Sequence, residues 1–212
     1  MAAGKFVRAA AKLLAALGEQ DCAVAGGMAV NAHGYLRGTR DVDIIVSIPL
    51  EEARRRLKAH GIETRLFKGD PFEGDFPCLK GVVGVETQGR GPIQGVAFDI
   101  LPQLVPIEPE KALDLVVRGQ RLRVVDMETL IRLKLKAESP ADLFDVAILV
   151  NLHPGWKERA KGLAVHNPQL AQRLVSMIED PRTRAKAMEA KRQEAALRDF
   201  ARRMATRRDD RT

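Results

Sequence analysis

Two aspartates, Asp41 and Asp43, stand one residue apart at the head of Val42–Ile48, an apolar and β-branched run that Pro49 ends. That composition fits a central strand. On an extended strand residues i and i+2 share a face, so both carboxylates leave the backbone toward one spot. Two like charges held side by side are costly unless cations neutralise them. Any fold that uses this strand has to supply that compensation locally. Hard, oxygen-seeking Mg²⁺ suits such a pair, especially when substrate phosphates complete the ligand set.

The residues just before the pair belong to the same unit, because Ala25–Val46 reads AGGMAVNAHGYLRGTRDVDIIV. Cys22–Ala25 is a short apolar run that enters Gly26-Gly27. It predicts a buried strand, a tight turn at the glycines, and a short helix over Met28–His33 closed by Gly34. Glycines at such a junction let backbone N–H groups approach phosphate closely. Arg37, Thr39 and Arg40 flank the aspartates and can touch phosphate or brace the loop. A third carboxylate, Asp99, sits in Ala97–Leu101, AFDIL, again among apolar neighbours. If that strand lies beside Val42–Ile48, Asp99 completes a cage for two metals. One metal would activate an attacking hydroxyl and the other would hold a triphosphate and its leaving group. An Asp-x-Asp pair alone is common by chance, so the ordered combination carries the expectation.

Along the rest of the chain, residues 4–18 place Phe6, Ala9, Ala10, Leu13, Leu14 and Leu17 at helical spacing. Further helices are expected over Glu51–His60, Glu110–Val117, from Asp126 as N-cap to Ala137, over Ala141–Leu152, and beyond Asn167 with a break at Pro181. Strands are expected over Ile62–Phe67, Val82–Glu86, Val96–Leu101 and Gln120–Val125. The stretch GDPFEGDFPC reads as a loop near the substrate, and QGRGPIQG as a Gly-rich turn between two strands. The order predicts an α/β (α+β) mixed-sheet domain over residues 1–125 and a helical region with a basic tail over 126–212.

Composition limits what such a chain can do. No apolar run approaches the roughly 20 residues that cross a bilayer. The basic N-terminus is interrupted by Lys5, Arg8 and Lys12, as in an amphipathic helix and not an export signal. Cys22 and Cys78 offer neither metal spacing nor a disulfide framework, so a cytoplasmic location is expected. The net charge of +7 is concentrated in the tail, where residues 181–212 hold eleven Lys/Arg against five Asp/Glu. RNA contact there competes with a solvated helix face bearing a thin stripe at Leu197, Phe200, Ala201 and Met204.

The pattern Gly26, Gly27, Ala29, His33, Gly34, Arg37, Thr39, Asp41, Asp43 resembles the signature of polymerase-beta-like nucleotidyltransferases. It is most similar to the small prokaryotic branch that includes AbiEii-like toxins. The resemblance implies that the Gly pair and both aspartates bind a Mg-bound NTP such as ATP, with two Mg²⁺ ions or Mn²⁺ in their place. It implies that Asp99 completes the cage and assists deprotonation of a hydroxyl acceptor. The segment ETLIRLKLKAESPADLFDVAIL extends the likeness. There the family has a lysine on one helix and an aspartate opening the next, matched by Lys134 and Asp142. Lys136 is an alternative to Lys134, and Ser139 and Ala141 replace basic residues frequent in the family. Asp142 and Asp145, three residues apart, also suit a helix start on dipole grounds alone. His33 reads as a general base or, on the structural side, as a helix cap or packing residue.

The resemblance therefore implies transfer of a nucleoside monophosphate to tRNA, a protein or a small hydroxylated molecule, with no membrane involvement. A tRNA or protein acceptor would make the chain a toxin with an antitoxin partner. The rival expectation is a non-catalytic nucleotide-binding or interaction protein that keeps the fold.

Overall fold

The structure is a computed structural model that describes residues 3–69, 76–86, 93–105 and 111–209, with side chains from Gly4 to Ala196. The chain is mixed α/β and divides into two compact units. The first comprises residues 1–32 and 37–137, and the second 33–36 and 138–212.

The first unit is built on seven strands: β1 (Cys22–Val24), β2 (Asp41–Val46), β3 (Thr64–Phe67), β4 (Cys78–Val85), β5 (Gln94–Leu101), β6 (Leu113–Val117) and β7 (Gln120–Val124). They form one sheet in the order β3-β4-β5-β2-β1-β7-β6. β2 runs parallel to β5 and antiparallel to β1, while β4 runs antiparallel to both β3 and β5. Alternation decides the faces. Val42 and Ile44 of β2, Phe98 and Ile100 of β5, and Leu79 and Val83 of β4 are all buried. Helices α1 (Ala3–Leu17) and α3 (Leu50–Ala59) pack in this unit, α1 against β2, β4 and β5, and α3 against β3 and β4. α1 contributes Ala9, Ala10, Leu13, Leu14 and Leu17 at the predicted spacing, all buried. Arg56 of α3 ties the helices together, bonding Asp21 at 2.7 Å, Glu52 at 2.9 Å and the Leu17 carbonyl.

Three expectations need correction. Within the expected helix Glu110–Val117, of which Glu110 lies outside the described residues, 113–117 are instead edge strand β6, and the hairpin to β7 turns on Arg118 and Gly119, with φ of 53° and 75°. A two-residue loop with both φ positive matches the right-handed twist of its strands, so the turn favours the hairpin. β4 begins at Cys78, four residues earlier than Val82, because its first half pairs with β3 (Phe67↔Cys78). The glycines do not precede their helix; α2 spans Gly26–Ala32 and they open it. The other expected strands and helices agree with the structure within a few residues, including α4 (Met127–Ala137) behind its N-cap Asp126, while the 3₁₀ turn and helix between residues 154 and 164 were not expected. Residues 70–75 of the expected loop and 88–92 of the expected Gly-rich turn lie outside the described residues.

The second unit holds α5 (Pro140–Leu152), a 3₁₀ turn at Pro154–Trp156, α6 (Lys157–Ala164), α7 (Pro168–Glu179) and α8 (Pro181–Asp209). Ile148, Leu152, Ala187 and Ala190 form a small core with Tyr35 and Phe144 against it. The tail stripe Leu197, Phe200, Ala201 and Met204 lies outside the described side chains. Among the described residues no helix is long and apolar enough to cross a membrane. Both cysteines are free and buried, and burial pushes the Cys22 thiol up to about 12, so it stays protonated and unreactive.

Candidate active site

Sheet register assembles the carboxylates. Asp43 and Asp99 are direct partners across the parallel pair β2·β5, and Asp41 lies two residues before Asp43 on the same strand. The buried residues of both strands are the alternate ones, Val42, Ile44, Phe98 and Ile100, so the three aspartates share the opposite face. The crowding has an electrostatic signature. Asp43 is pushed up to about 6, first by burial and then by Asp41 and Asp99, while Lys134 and the Gly27 N–H pull it down. Burial and two like charges both disfavour its ionised form, a cost that a bound cation would relieve.

The local chain explains how Asp43 is seated. The Ala25 N–H donates to the Asp43 carbonyl at 2.9 Å, which fixes the end of β1 against β2. A Cβ at Gly26 would fall inside the Asp43 carboxylate, and Gly26 holds a φ of 55°, so both space and backbone require glycine. A Cβ at Gly27 would stand 2.8 Å from the Thr39 hydroxyl. The Gly pair is thus demanded by Asp43 and Thr39 themselves. Thr39 in turn donates its hydroxyl to the Asp41 carbonyl at 3.1 Å.

Arg37 is positioned by a residue that the sequence did not single out. Asn31 of α2 accepts from the Arg37 N–H at 2.8 Å and donates to the Arg37 carbonyl at 3.0 Å. Such a reciprocal side-chain clamp needs a tight loop between the two residues, and no spacing rule announces it.

The two lysines of α4 differ in their surroundings. Lys134 is only 5% exposed and acts electrostatically on Asp43. Lys136 reaches outward, donating to the Leu104 carbonyl at 3.2 Å and lying 5.0 Å from the Phe76 ring centre. Asp142 belongs to the second unit. There Ser139 accepts from the Asp142 N–H at 3.1 Å and donates to the Asp142 carboxylate at 2.5 Å, a reciprocal cap at the start of α5. Asp145 of the same helix is buried. The His33 carbonyl meets the His153 imidazole Nε2 at 2.9 Å within that unit.

A second residue missed in the sequence is Lys80. It is the register partner of Asp99 across β4·β5 and bonds its carboxylate at 3.0 Å. The row across three strands is therefore Asp43, Asp99, Lys80. Among the described residues, no group of three His, Cys, Asp or Glu side chains is drawn together as a metal cage. The donor chemistry nevertheless fits a hard divalent cation: three oxygen-donor side chains share a face, and Asp43 is raised by burial and by its two carboxylate neighbours.

No family model matches the sequence, and no curated protein matches it. Solved structures do. JHP933 from Helicobacter pylori is similar at 15% identity over 93% of this chain and 96% of its own, with a TM-score of 0.43. An antigenic nucleotidyltransferase-like protein from Paracoccidioides brasiliensis is 17% identical over 84% of this chain and 95% of its own, TM-score 0.45. ANT(2″)-Ia, solved in complex with adenylyl-2″-tobramycin, is 14% identical over 76% of this chain and 95% of its own, TM-score 0.49. At such identities and scores the likenesses assign no residue and no activity to this chain.

Proposed function

We propose that this chain is a Mg²⁺-dependent nucleotidyltransferase that moves a nucleoside monophosphate from an NTP to a hydroxyl acceptor. The observation that carries the proposal is the placing of Asp43 opposite Asp99 on adjacent strands, with Asp41 on the same face and the Gly26-Gly27 backbone packed on the Asp43 carboxylate. Asp41, Asp43 and Asp99 would hold the cations. Bound there, Mg²⁺ or Mn²⁺ supplies charge neutralisation for the triphosphate and acidity for the attacking hydroxyl.

The chain's own groups divide the remaining work. Gly26, Gly27, Arg37 and Thr39 line the phosphate side, and Lys134 offsets negative charge beside Asp43 as pyrophosphate leaves. The acceptor oxygen bonds to the α-phosphorus, the bond from that phosphorus to pyrophosphate breaks, and Asp99 takes the hydroxyl proton. Asp142 joins the nucleotide-binding set on the family resemblance alone. So do the AbiEii-like branch, the toxin role and an antitoxin partner, which expression toxicity relieved by a neighbouring gene product would support.

A second reading, nucleotide binding without transfer, is favoured by one observation: Lys80 already occupies Asp99, the residue assigned as base. One experiment separates the two. The chain is incubated with each α-labelled NTP, with and without Mg²⁺, together with total tRNA, total protein and a panel of hydroxylated small molecules. Transfer of label that disappears in Asp41→Ala and Asp43→Ala supports the enzyme. Calorimetric binding of Mg-NTP without transfer supports the second reading, and equal label transfer in wild type and both variants removes the assignment.

A further inference from the structure

The sheet face that carries the aspartates continues beyond Asp99 into β4 and β3, and its chemistry changes there. Arg65 pairs with Lys80, which pairs with Asp99, so two cations extend the carboxylate row across adjacent strands. Within β3 and β4 that face holds no carboxylate; Glu63 lies just before β3, two residues from the Lys80 row. Two apolar side chains are exposed beside the cations, Phe67 at 42% and Val82 at 64%. The Lys80 ammonium stands 3.0 Å from the Asp99 carboxylate and 5.3 Å from the centre of the Phe67 ring. Its side chain is still 51% exposed. Gly95 leaves the space that Val82 occupies, since a Cβ there would stand 2.8 Å from Val82 Cγ1.

Resting on the nucleotidyl-transfer reading above, we infer that this β3–β4 face receives the acceptor, and that the acceptor bears a phosphate and a planar ring. Asp99 marks where the reacting hydroxyl lies. An acceptor reaching that hydroxyl across β4 and β3 passes Lys80 and Arg65, cations of the kind that form charge-assisted hydrogen bonds with phosphate. Phe67 offers a ring on which a planar group stacks beside a cation. Were Asp99 to hold a divalent cation, its carboxylate would attract Lys80 less strongly and leave the ammonium more available to an incoming anion. A polycationic aminosugar finds the opposite: two like charges and no acidic partner within these strands. The nucleotide donor and the acceptor thus use different charge schemes on one face, carboxylates with Lys134 on one side and Arg65 with Lys80 on the other.

The test uses the full chain with Mg²⁺ and a non-transferable α,β-methylene NTP, so that the donor side is filled before any acceptor probe is added. The probes are a nucleoside monophosphate, a short single-stranded RNA with a free 3′-hydroxyl, an unphosphorylated nucleoside and a polycationic aminosugar. The phosphate-bearing probes are expected to bind wild type and to lose roughly tenfold to a hundredfold in Lys80→Glu. Arg65→Ala and Phe67→Ala are expected to lose less, and the unphosphorylated nucleoside to be the least sensitive to Lys80→Glu. Similar binding of monophosphate and RNA assigns a free nucleotide, and tighter RNA binding assigns a polymer end. Lys80 is exposed, and thermal melts of Lys80→Gln check that folding is intact, with that variant expected to lose binding as well. Phosphate probes that ignore both Lys80 variants, no phosphate probe binding wild type, or an aminosugar that binds wild type and tightens in Lys80→Glu would each overturn the inference. Failure of the methylene NTP itself to bind would instead reject the donor reading, and the acceptor inference with it.

Discussion

Carboxylates do opposite work in two parts of this molecule. At helix starts each one is answered by its own neighbours. Asp126 accepts from the Glu128 and Thr129 N–H groups at 2.8 and 3.1 Å, Asp142 shares a reciprocal cap with Ser139, and Asp180 accepts from the Arg182 backbone and guanidinium. The Arg182 contacts hold Asp180 below the usual carboxylate range. On the sheet face nothing within a few residues answers Asp43. It is pushed up to about 6, and the groups that ease it are the Gly27 N–H and Lys134, about ninety residues on. A self-sufficient carboxylate stabilises a fold, whereas an under-compensated one is available to a cation.

The largest effect that would break this contrast lies in catalysis. Asp41→Ala or Asp43→Ala is expected to lower Mg-dependent label transfer by at least about a thousandfold, because several kcal/mol of transition-state charge stabilisation goes with the cation. Asp142→Ala is expected to cost about 1 kcal/mol in a urea melt and to lower transfer by no more than about tenfold, because Asp142 would touch the nucleotide and not the cations. An Asp142→Ala loss as large as that of Asp43→Ala would place the two residues in one class.

Gly26→Ala comes next. Its Cβ competes with the Asp43 carboxylate, so transfer is expected to fall on the order of a hundredfold as Asp43 is displaced. Lys134→Met is expected to cost roughly tenfold or more in kcat/KM, and Lys136→Met little, since only the former acts on Asp43. Equal losses at the two lysines would show that α4 contributes packing and not charge.

Stability against pH sharpens the comparison further. The folded-state value of Asp43 lies above its ordinary 3.8, so its contribution is fully present below about pH 3.8 and is lost as the pH rises through about 6. In chelator, Asp43→Asn is therefore expected to gain up to about 3 kcal/mol over wild type at pH 7.5, and nothing at pH 3.5. Added Mg²⁺ is expected to raise the melting temperature of wild type at pH 7.5 and to leave Asp43→Asn unmoved. A gap independent of pH would exclude charge as its cause. The smallest effect is at Asp126, where Asp126→Ala is expected to cost about 1–2 kcal/mol of stability in a urea melt.

Much of this arrangement is legible in the chain, because it is local. Apolar spacing marks α1, β-branched runs mark β2 and β5, and Asp126 marks the start of α4. The Gly pair and the two aspartates fall within eighteen consecutive residues, so their grouping requires no long-range pairing. β6 was misread as a helix because Leu113–Val117 is short and apolar; the decisive signal was the Arg118-Gly119 turn beyond it. Asn31 and Lys80 were invisible for another reason. An asparagine inside a helix and a lysine inside a strand carry no local mark of the residue they will face.

By itself the sequence determined the chemistry of one strand: two carboxylates on one side of β2 and an apolar core on the other, fixed by the two-residue period of an extended backbone. Only the tertiary structure decided what stands beside them. The β2·β5 and β4·β5 registers put Asp99 opposite Asp43 and Lys80 opposite Asp99, and a one-residue slip would turn either side chain to the other face. Packing of α4 brought the Lys134 charge to Asp43. Pairing between strands depends on the whole sheet, so no window of sequence contains it.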